Sequence, residues 1–142
     1  MNGTALLKPG PTVVGGGPVG LRRVSALLEA GARMAFGSDA PVEPIDPLLG
    51  IHAAVARRRV GDADAWTPAQ KLTLDEALAG YAAGAAYALG REDYAGRLAP
   101  GMLCDATVVD RDLARIPEEE IARASVRATI TGGIVRYDNG IG

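Results

Sequence analysis

The chain contains few cysteines and histidines, the residues that form disulfides and bind metals such as zinc. One cysteine, Cys104, excludes an internal disulfide and a cysteine-rich metal site. A single cysteine is also consistent with a reducing compartment, so we expect a cytoplasmic location. Histidine is equally scarce, since His52 is the only one among 142 residues.

Long apolar runs and an excess of charge of one sign are also missing. No run approaches the roughly 20 residues that a membrane-spanning helix needs, and the start, MNGTALLKPGP, lacks the apolar core of a signal peptide. The formal net charge is −2, with acidic and basic residues interspersed. We therefore expect neither nucleic acid nor an anionic membrane as a partner.

Aromatic residues make up only 4% of the chain, although hydrophobic residues make up 48%. The core must therefore consist largely of Ala, Val, Leu and Ile. With 19 glycines and 9 prolines the chain contains many turns. Its length is sufficient for one domain with a hydrophobic core.

The most informative stretch is RMAFGSDAPVEPIDPLLG, residues 33–50. The apolar run Met34–Phe36 predicts a short strand, Arg33–Phe36, which Gly37 ends just before the lone carboxylate of Asp39. A strand that ends this way can present one acid at the rim of a parallel sheet. The alternative is that Asp39 forms a turn or caps a helix. Pro47 suits a first helical turn, with Asp46 as its N-cap.

The segment before this stretch allows a second interpretation. Residues 1–20 are rich in Gly and Pro, and Leu21–Ala30 has the apolar spacing of a helix. A strand, a glycine-rich turn, a helix and a second strand follow in the βαβ order. The turn matches the GxGxxG pattern at Gly15, Gly17 and Gly20, and Asp39 lies roughly 20 residues after it, where a dinucleotide-binding fold places an acid. The glycine-rich turn and the helix after it also resemble the start of the sirohaem-synthase type of NAD-binding domain. The alternatives are a dinucleotide-binding αβ module and a plain Gly/Pro-rich connection.

Downstream residues predict two further parts, 21–90 and 91–142. In the first, the helix from Pro47 has Arg57–Arg59 in its last turn as a solvated end, and Thr67 caps a short helical turn. The box Thr73-x-x-Glu76 then opens a long helix through about Leu89. In the second part, the pattern predicts a strand over 106–109 and an acidic helical turn over 116–121. It also predicts a hairpin over 126–137 that turns at Gly132-Gly133.

Four blocks in order resemble the end of a metal-dependent amidohydrolase, in the branch that includes the N-substituted formamide deformylases. They are LLEAGARMAFGSDAPVEPIDPLLGIHAAVARR, WTPAQKLTLDEALAGYAAGAAYALGRED, GRLAPGMLCDATVVDRD and the GGIVRY hairpin, within about residues 21–137. The resemblance implies an α/β fold, the terminal βα units of a (β/α)8 barrel followed by part of a small β-sandwich. It also implies one or two divalent metals, usually zinc. Arg33–Phe36 would be the eighth barrel strand, and Asp39 would contact metal and take a proton from the attacking water.

The sequence departs from this pattern in its metal ligands. The other histidines and the Lys or Glu that the family uses have no counterpart here, and a hydrolytic zinc site needs about three protein ligands. His52 lies within a predicted helix, where packing or surface exposure is favoured over ligation. We therefore expect an incomplete barrel that is inactive alone towards amide substrates. It would associate with a missing barrel portion or form a homo-oligomer, and a non-catalytic oligomerisation fragment is the further alternative.

Overall fold

The computed structural model describes residues 12–14, for the backbone alone, then 27–28 and 31–141. The glycines of the GxGxxG match and most of the helix predicted over Leu21–Ala30 lie outside these residues. The first strands are β1, Thr12–Val14, and β2, Arg33–Ala35, which pair in parallel with Val13 opposite Met34. The two strands of the predicted βαβ order are therefore present and parallel, and most of the connection between them lies outside the described residues.

Strand β2 ends one residue earlier than predicted, at Ala35. The reason is that the Phe36 N–H donates to the carbonyl oxygen of Gly80, 3.0 Å away, in the helical segment that covers this edge. The main chain of Phe36 therefore bonds to the helical segment and not to a neighbouring strand.

Helix α1 spans Pro47–Ala56 and begins as predicted. Pro47 occupies the first turn, and the Asp46 side chain accepts from the Leu48 N–H at 2.9 Å. The prediction for its end is wrong. Arg57 follows the helix with a left-handed φ of 54° and is only 2% exposed, so the three arginines are not a solvated last turn.

The buried arginine also changes the role of Thr67. We predicted that Thr67 caps the short turn Pro68–Gln70, which is present as a 3-10 helix. The Thr67 side chain makes no capping bond and instead accepts from Nη2 of Arg57 at 3.1 Å. The hydroxyl is used to satisfy a buried guanidinium, which competes with capping.

The long helix predicted from Thr73 is interrupted. Helix α2, Leu74–Ala79, starts with the predicted capping box, in which the Thr73 N–H donates to the Glu76 carboxylate at 2.8 Å. A π-helical segment, Gly80–Gly84, follows, and helix α3, Ala85–Ala88, completes the run. The sequence predicts the start and approximate length, but not the wider turn in the middle.

The C-terminal part is a three-stranded antiparallel sheet with the order β3-β4-β5. Its strands are Ala106–Val109, Val126–Thr131 and Ile134–Asp138, and Gly132 and Gly133 make the hairpin turn with φ of 59° and 78°. The strand and hairpin predictions are confirmed. The acidic turn is a 3-10 helix, Glu118–Arg123.

This 3-10 helix attaches the antiparallel sheet to the rest of the fold. Ile121 is 2% exposed and lies in a core with residues of β2, α1 and α2 and two residues from the adjoining loops: Met34, Leu48, Ile51, Ala54, Ala77, Leu72 and Ala124. At the surface, Arg58 pairs with Glu119 and Lys71 pairs with Glu118 at 2.7 Å. None of the helices in the described residues is long and apolar enough to cross a membrane.

Candidate functional site

Asp39 lies in the loop that leaves β2, three residues after Phe36, and it is exposed. Its φ is 58°, in the left-handed region, and its carbonyl accepts from the Val42 N–H at 2.9 Å. The turn is thus made by the backbone of Asp39. Among residues 31–141, no partner hydrogen-bonds or ion-pairs with its carboxylate, so this acid does not serve as a side-chain cap.

The exit of β2 is held in place by the π-helical segment. The Phe36 ring meets Tyr81 edge to face, with centroids 5.7 Å apart and an angle of 65° between the planes. A Cβ on Gly80 would lie 2.5 Å from the Phe36 ring, and one on Gly84 would lie 1.7 Å from the Met34 carbonyl oxygen. Only glycine allows the helix backbone to approach the strand so closely.

The loop borders a cavity of about 310 Å3 that extends along α1. Its lining combines aromatic rings, small helix residues and charged groups: Phe36, Gly37, Ser38, Glu43, Pro44, Asp46, Leu49, Gly50, His52, Ala53, Ala54, Arg58, Arg59, Val60, Trp66 and Tyr81. Cavities of this size suit one small molecule.

His52 forms part of the cavity wall and is only 2% exposed. Burial lowers the pKa of its imidazole below the usual 6.5, and the positive charge of Arg58 lowers this pKa further. Glu118 and Glu119 act in the opposite direction. The imidazole is therefore neutral at pH 7 and offers one donor and one acceptor.

The described residues do not form a metal site by themselves. No group of three or more His, Cys, Asp or Glu side chains within the described ranges is close enough together to hold an ion. Asp39 can supply one oxygen ligand, whereas His52 is buried in the α1 packing. Any metal at this loop must take its remaining ligands from elsewhere.

Sequence reasoning singled out Asp39, whose catalytic role stays a prediction, and missed the residues that contact the strand before its loop. Gly80 and Gly84 are spaced as GxxxG within a run of alanines, and this spacing is the signal that could have indicated a close helix–strand contact. Tyr81, within the same run, packs against Phe36. Nothing in the sequence pattern indicated that Trp66 lies in the same cavity wall.

Solved structures share this fold at low sequence identity. An amidohydrolase from Thermotoga maritima superimposes with a TM-score of 0.63 and 18% identity over 83% of this chain and 26% of that protein. A mutant atrazine chlorohydrolase, TrzN from Arthrobacter aurescens TC1, complexed with zinc and atraton, superimposes with a TM-score of 0.58 and 24% identity over 82% of this chain and 27% of that protein. At such identities the likeness establishes the fold alone.

Two curated relatives are more similar in sequence. The putative amidohydrolase YtcJ of Bacillus subtilis strain 168 is 32% identical over 114 residues, 79% of this chain and 22% of that protein. The N-substituted formamide deformylase of Arthrobacter pascens is 32% identical over 115 residues, 81% of this chain and 21% of that protein. The chain thus spans about a fifth of the length of these relatives.

The family model for the amidohydrolase family matches residues 10–137. This match confirms the resemblance found in the sequence and extends it into residues 10–20, which the resemblance had left out. It includes β1, the Asp39 loop, the interrupted helix and the antiparallel sheet. The chain therefore belongs to the amidohydrolase family.

Proposed function

We propose that this chain forms the last catalytic strand and the following β-sandwich portion of a metal-dependent hydrolase that cleaves non-peptide C–N bonds. In this proposal β2 is the eighth strand of a (β/α)8 barrel, β1 is its parallel neighbour, and β3–β5 belong to the small sandwich. The support is the family match over residues 10–137, the parallel pair and the antiparallel sheet. Catalytic groups in such barrels lie at the C-terminal ends of the strands, which is where Asp39 lies.

The observation that carries the proposal is the placement of the Asp39 carboxylate. It follows the carboxyl end of β2, it is exposed, and it makes no hydrogen bond or ion pair with residues 31–141. A carboxylate held this way can accept a proton from a water molecule that attacks an amide carbon. The strand exit is rigid because Phe36 is fixed by Gly80 and Tyr81.

Asp39 would also give one oxygen ligand to a divalent metal, for which zinc is the expected ion. The other ligands would come from the strands that this chain does not contain, since its only histidine is the buried His52. We therefore propose that the 142-residue chain is inactive alone and becomes part of an active site only in a completed barrel.

A chimera tests this assignment. Residues 10–137 replace the matching stretch of the Arthrobacter pascens deformylase, whose name states its substrate class, and zinc and an N-substituted formamide are added. We expect turnover by the chimera, none by the isolated chain, and loss of turnover on Asp39→Asn. The exposed loop acid Asp64, changed to Asn, is the matched control. Turnover by the isolated chain that Asp39→Asn abolishes would show that the site is complete without a partner.

A further inference from the structure

The loop that carries Asp39 has little packing of its own. Residues 39–47 are all exposed, and the hydrogen bond from the Val42 N–H to the Asp39 carbonyl oxygen is made within the loop. The position of the Asp39 carboxylate therefore depends on the two points at which the loop is attached to the fold. These points are Phe36, at the exit of β2, and the first turn of α1.

Tyr81 contacts both attachment points. Its ring meets the Phe36 ring edge to face, with the centroids 5.7 Å apart. Its hydroxyl lies against Gly50 in the first turn of α1, so closely that a Cβ on Gly50 would clash with it. One side chain of the π-helical segment thus lies between the strand exit and the start of the helix and sets their separation.

The base of Tyr81 is held by the main chain of its neighbour. The Gly80 carbonyl oxygen accepts from the Phe36 N–H at 3.0 Å. The Tyr81 hydroxyl makes no hydrogen bond with residues 31–141, and burial raises the pKa of this phenol above its usual 10. The hydroxyl is therefore neutral at pH 7 and acts as a spacer against the α1 backbone.

We propose that Tyr81 is a positioning residue for the Asp39 carboxylate. It acts through Phe36 at one end of the loop and through Gly50 at the other, without contact to the reacting atoms. Only its effect on turnover rests on the proposed hydrolase function. The spacing of the two loop ends is a property of the isolated chain and is measured there.

A compensating pair of changes tests the spacing. Gly50→Ala places a methyl group against the Tyr81 hydroxyl and should lower the urea midpoint of the isolated chain, although alanine favours a helix more than glycine does. Tyr81→Phe removes the hydroxyl, which is the atom nearest to that methyl group. Gly50→Ala should therefore lower the midpoint much less in the Tyr81→Phe background. Gly37→Ala, whose Cβ would meet no atom within 4 Å, is the control and should have the same effect in both backgrounds.

A second comparison reports on the loop itself. Asp39→Gly should have a higher urea midpoint than Asp39→Ala, because a loop held in place keeps the left-handed φ of 58° at this residue. Tyr81→Leu loses the edge-to-face contact and the hydroxyl, so this difference should be about halved in its background. Tyr137→Leu, at a tyrosine of β5 outside the cavity, should leave the difference unchanged. Circular dichroism verifies that each variant is folded.

The deformylase chimera separates positioning from substrate binding. Tyr81→Leu should lower kcat about tenfold and leave KM unchanged, because a displaced general base slows the chemical step without weakening substrate binding. Gly50→Ala should also lower kcat, and Tyr81→Phe added to it should restore most of the loss.

The proposal is overturned if Gly50→Ala lowers the midpoint equally with and without Tyr81→Phe, or if the Asp39 pair keeps its full difference in a folded Tyr81→Leu chain. A raised KM at unchanged kcat in Tyr81→Leu would also overturn it, because Tyr81 would then bind the substrate. If Tyr81→Leu does not fold, the compensation by Tyr81→Phe decides. An active chimera that is insensitive to Asp39→Asn would remove the catalytic role of Asp39, and both stability tests would still decide the spacing.

Discussion

Asp39 combines a backbone conformation that favours glycine with a carboxylate that makes no hydrogen bond or ion pair within residues 31–141. Its φ of 58° is unfavourable for most L-residues, and Asp and Asn tolerate it better than others. Glycine would adopt the same conformation at no steric cost. The presence of an exposed carboxylate instead agrees with a functional role.

The backbone strain at Asp39 can be measured. Asp39→Gly should be more stable to urea than Asp39→Ala by about 1 kcal/mol, because Ala retains the left-handed penalty that Gly avoids. The same pair of changes at Asp64, whose φ is not positive, should favour Ala. Equal stability of the two Asp39 variants would show that the loop relaxes and that its conformation is not fixed by the surrounding fold.

His52 predicts a pH dependence of stability. Its folded-state pKa lies below 6.5 because of burial and Arg58, so the unfolded chain binds a proton more readily than the folded chain. The contribution is therefore fully present above pH 6.5 and falls as the pH is lowered. The urea midpoint should drop between about pH 7.5 and 5.5, and less so in His52→Gln. An identical drop in wild type and variant would assign the effect to other groups.

At the scale of elements, the contact between the π-helical segment and β2 positions the loop. In the widened segment Gly80–Gly84, the Gly80 carbonyl accepts from the Phe36 N–H, and Gly84 lies against the Met34 carbonyl. Strand, helix and loop are thus joined through main-chain atoms. Side-chain periodicity carries no information about such contacts, which explains why the sequence predicted one uninterrupted helix.

Gly84→Ala tests this contact, and the two competing effects differ in sign. Helix propensity alone predicts stabilisation by up to about 1 kcal/mol, whereas a Cβ 1.7 Å from the Met34 oxygen predicts destabilisation by about 1–3 kcal/mol. We expect the second result in urea unfolding. Gly37→Ala is the matched control, since its added Cβ would have no atom within 4 Å. Stabilisation by Gly84→Ala would contradict the close packing.

Sequence reasoning succeeded where one local signal determines the structure. Asp46 and Pro47 start α1, Thr73 and Glu76 start α2, and the glycine pair turns the hairpin. These signals act over a few residues and need no knowledge of the core.

Sequence reasoning failed where contacts between residues far apart in the chain determine the structure. Arg57 looked like a solvated helix end, but tertiary packing buries it and moves the Thr67 hydroxyl from capping to the guanidinium. The cavity was equally hidden, because Phe36, Trp66 and Tyr81 come from three separate segments. The role of Asp39 came from the family resemblance together with its place after a strand, and it stays a prediction until it is tested.

At the scale of the whole molecule, large apolar side chains remain exposed around the same loop. Val42 is 78% exposed and Ile45 is 80% exposed, and both lie between Asp39 and α1. In the proposed enzyme this face would adjoin the rest of the barrel, which fits a chain that spans about a fifth of its relatives. Exposed apolar surface favours association.

We therefore expect the isolated chain to self-associate, with a sedimentation coefficient that rises with protein concentration. The double change Val42→Ser with Ile45→Ser should reduce this association, because both side chains leave the apolar face. Leu89→Ser, at a residue that is 70% exposed at the end of α3, should reduce it less. A monodisperse monomer over the whole concentration range would contradict this expectation.

The central claim is that Asp39 is the catalytic carboxylate of a barrel completed by other strands, and the kcat of the deformylase chimera tests it most directly. We predict that Asp39→Asn lowers kcat by about 10²–10⁴-fold, the usual effect of removing a general base, while Asp64→Asn leaves kcat unchanged. Circular dichroism must show that both variants are folded. An active chimera whose kcat is the same with Asp39→Asn would contradict the claim.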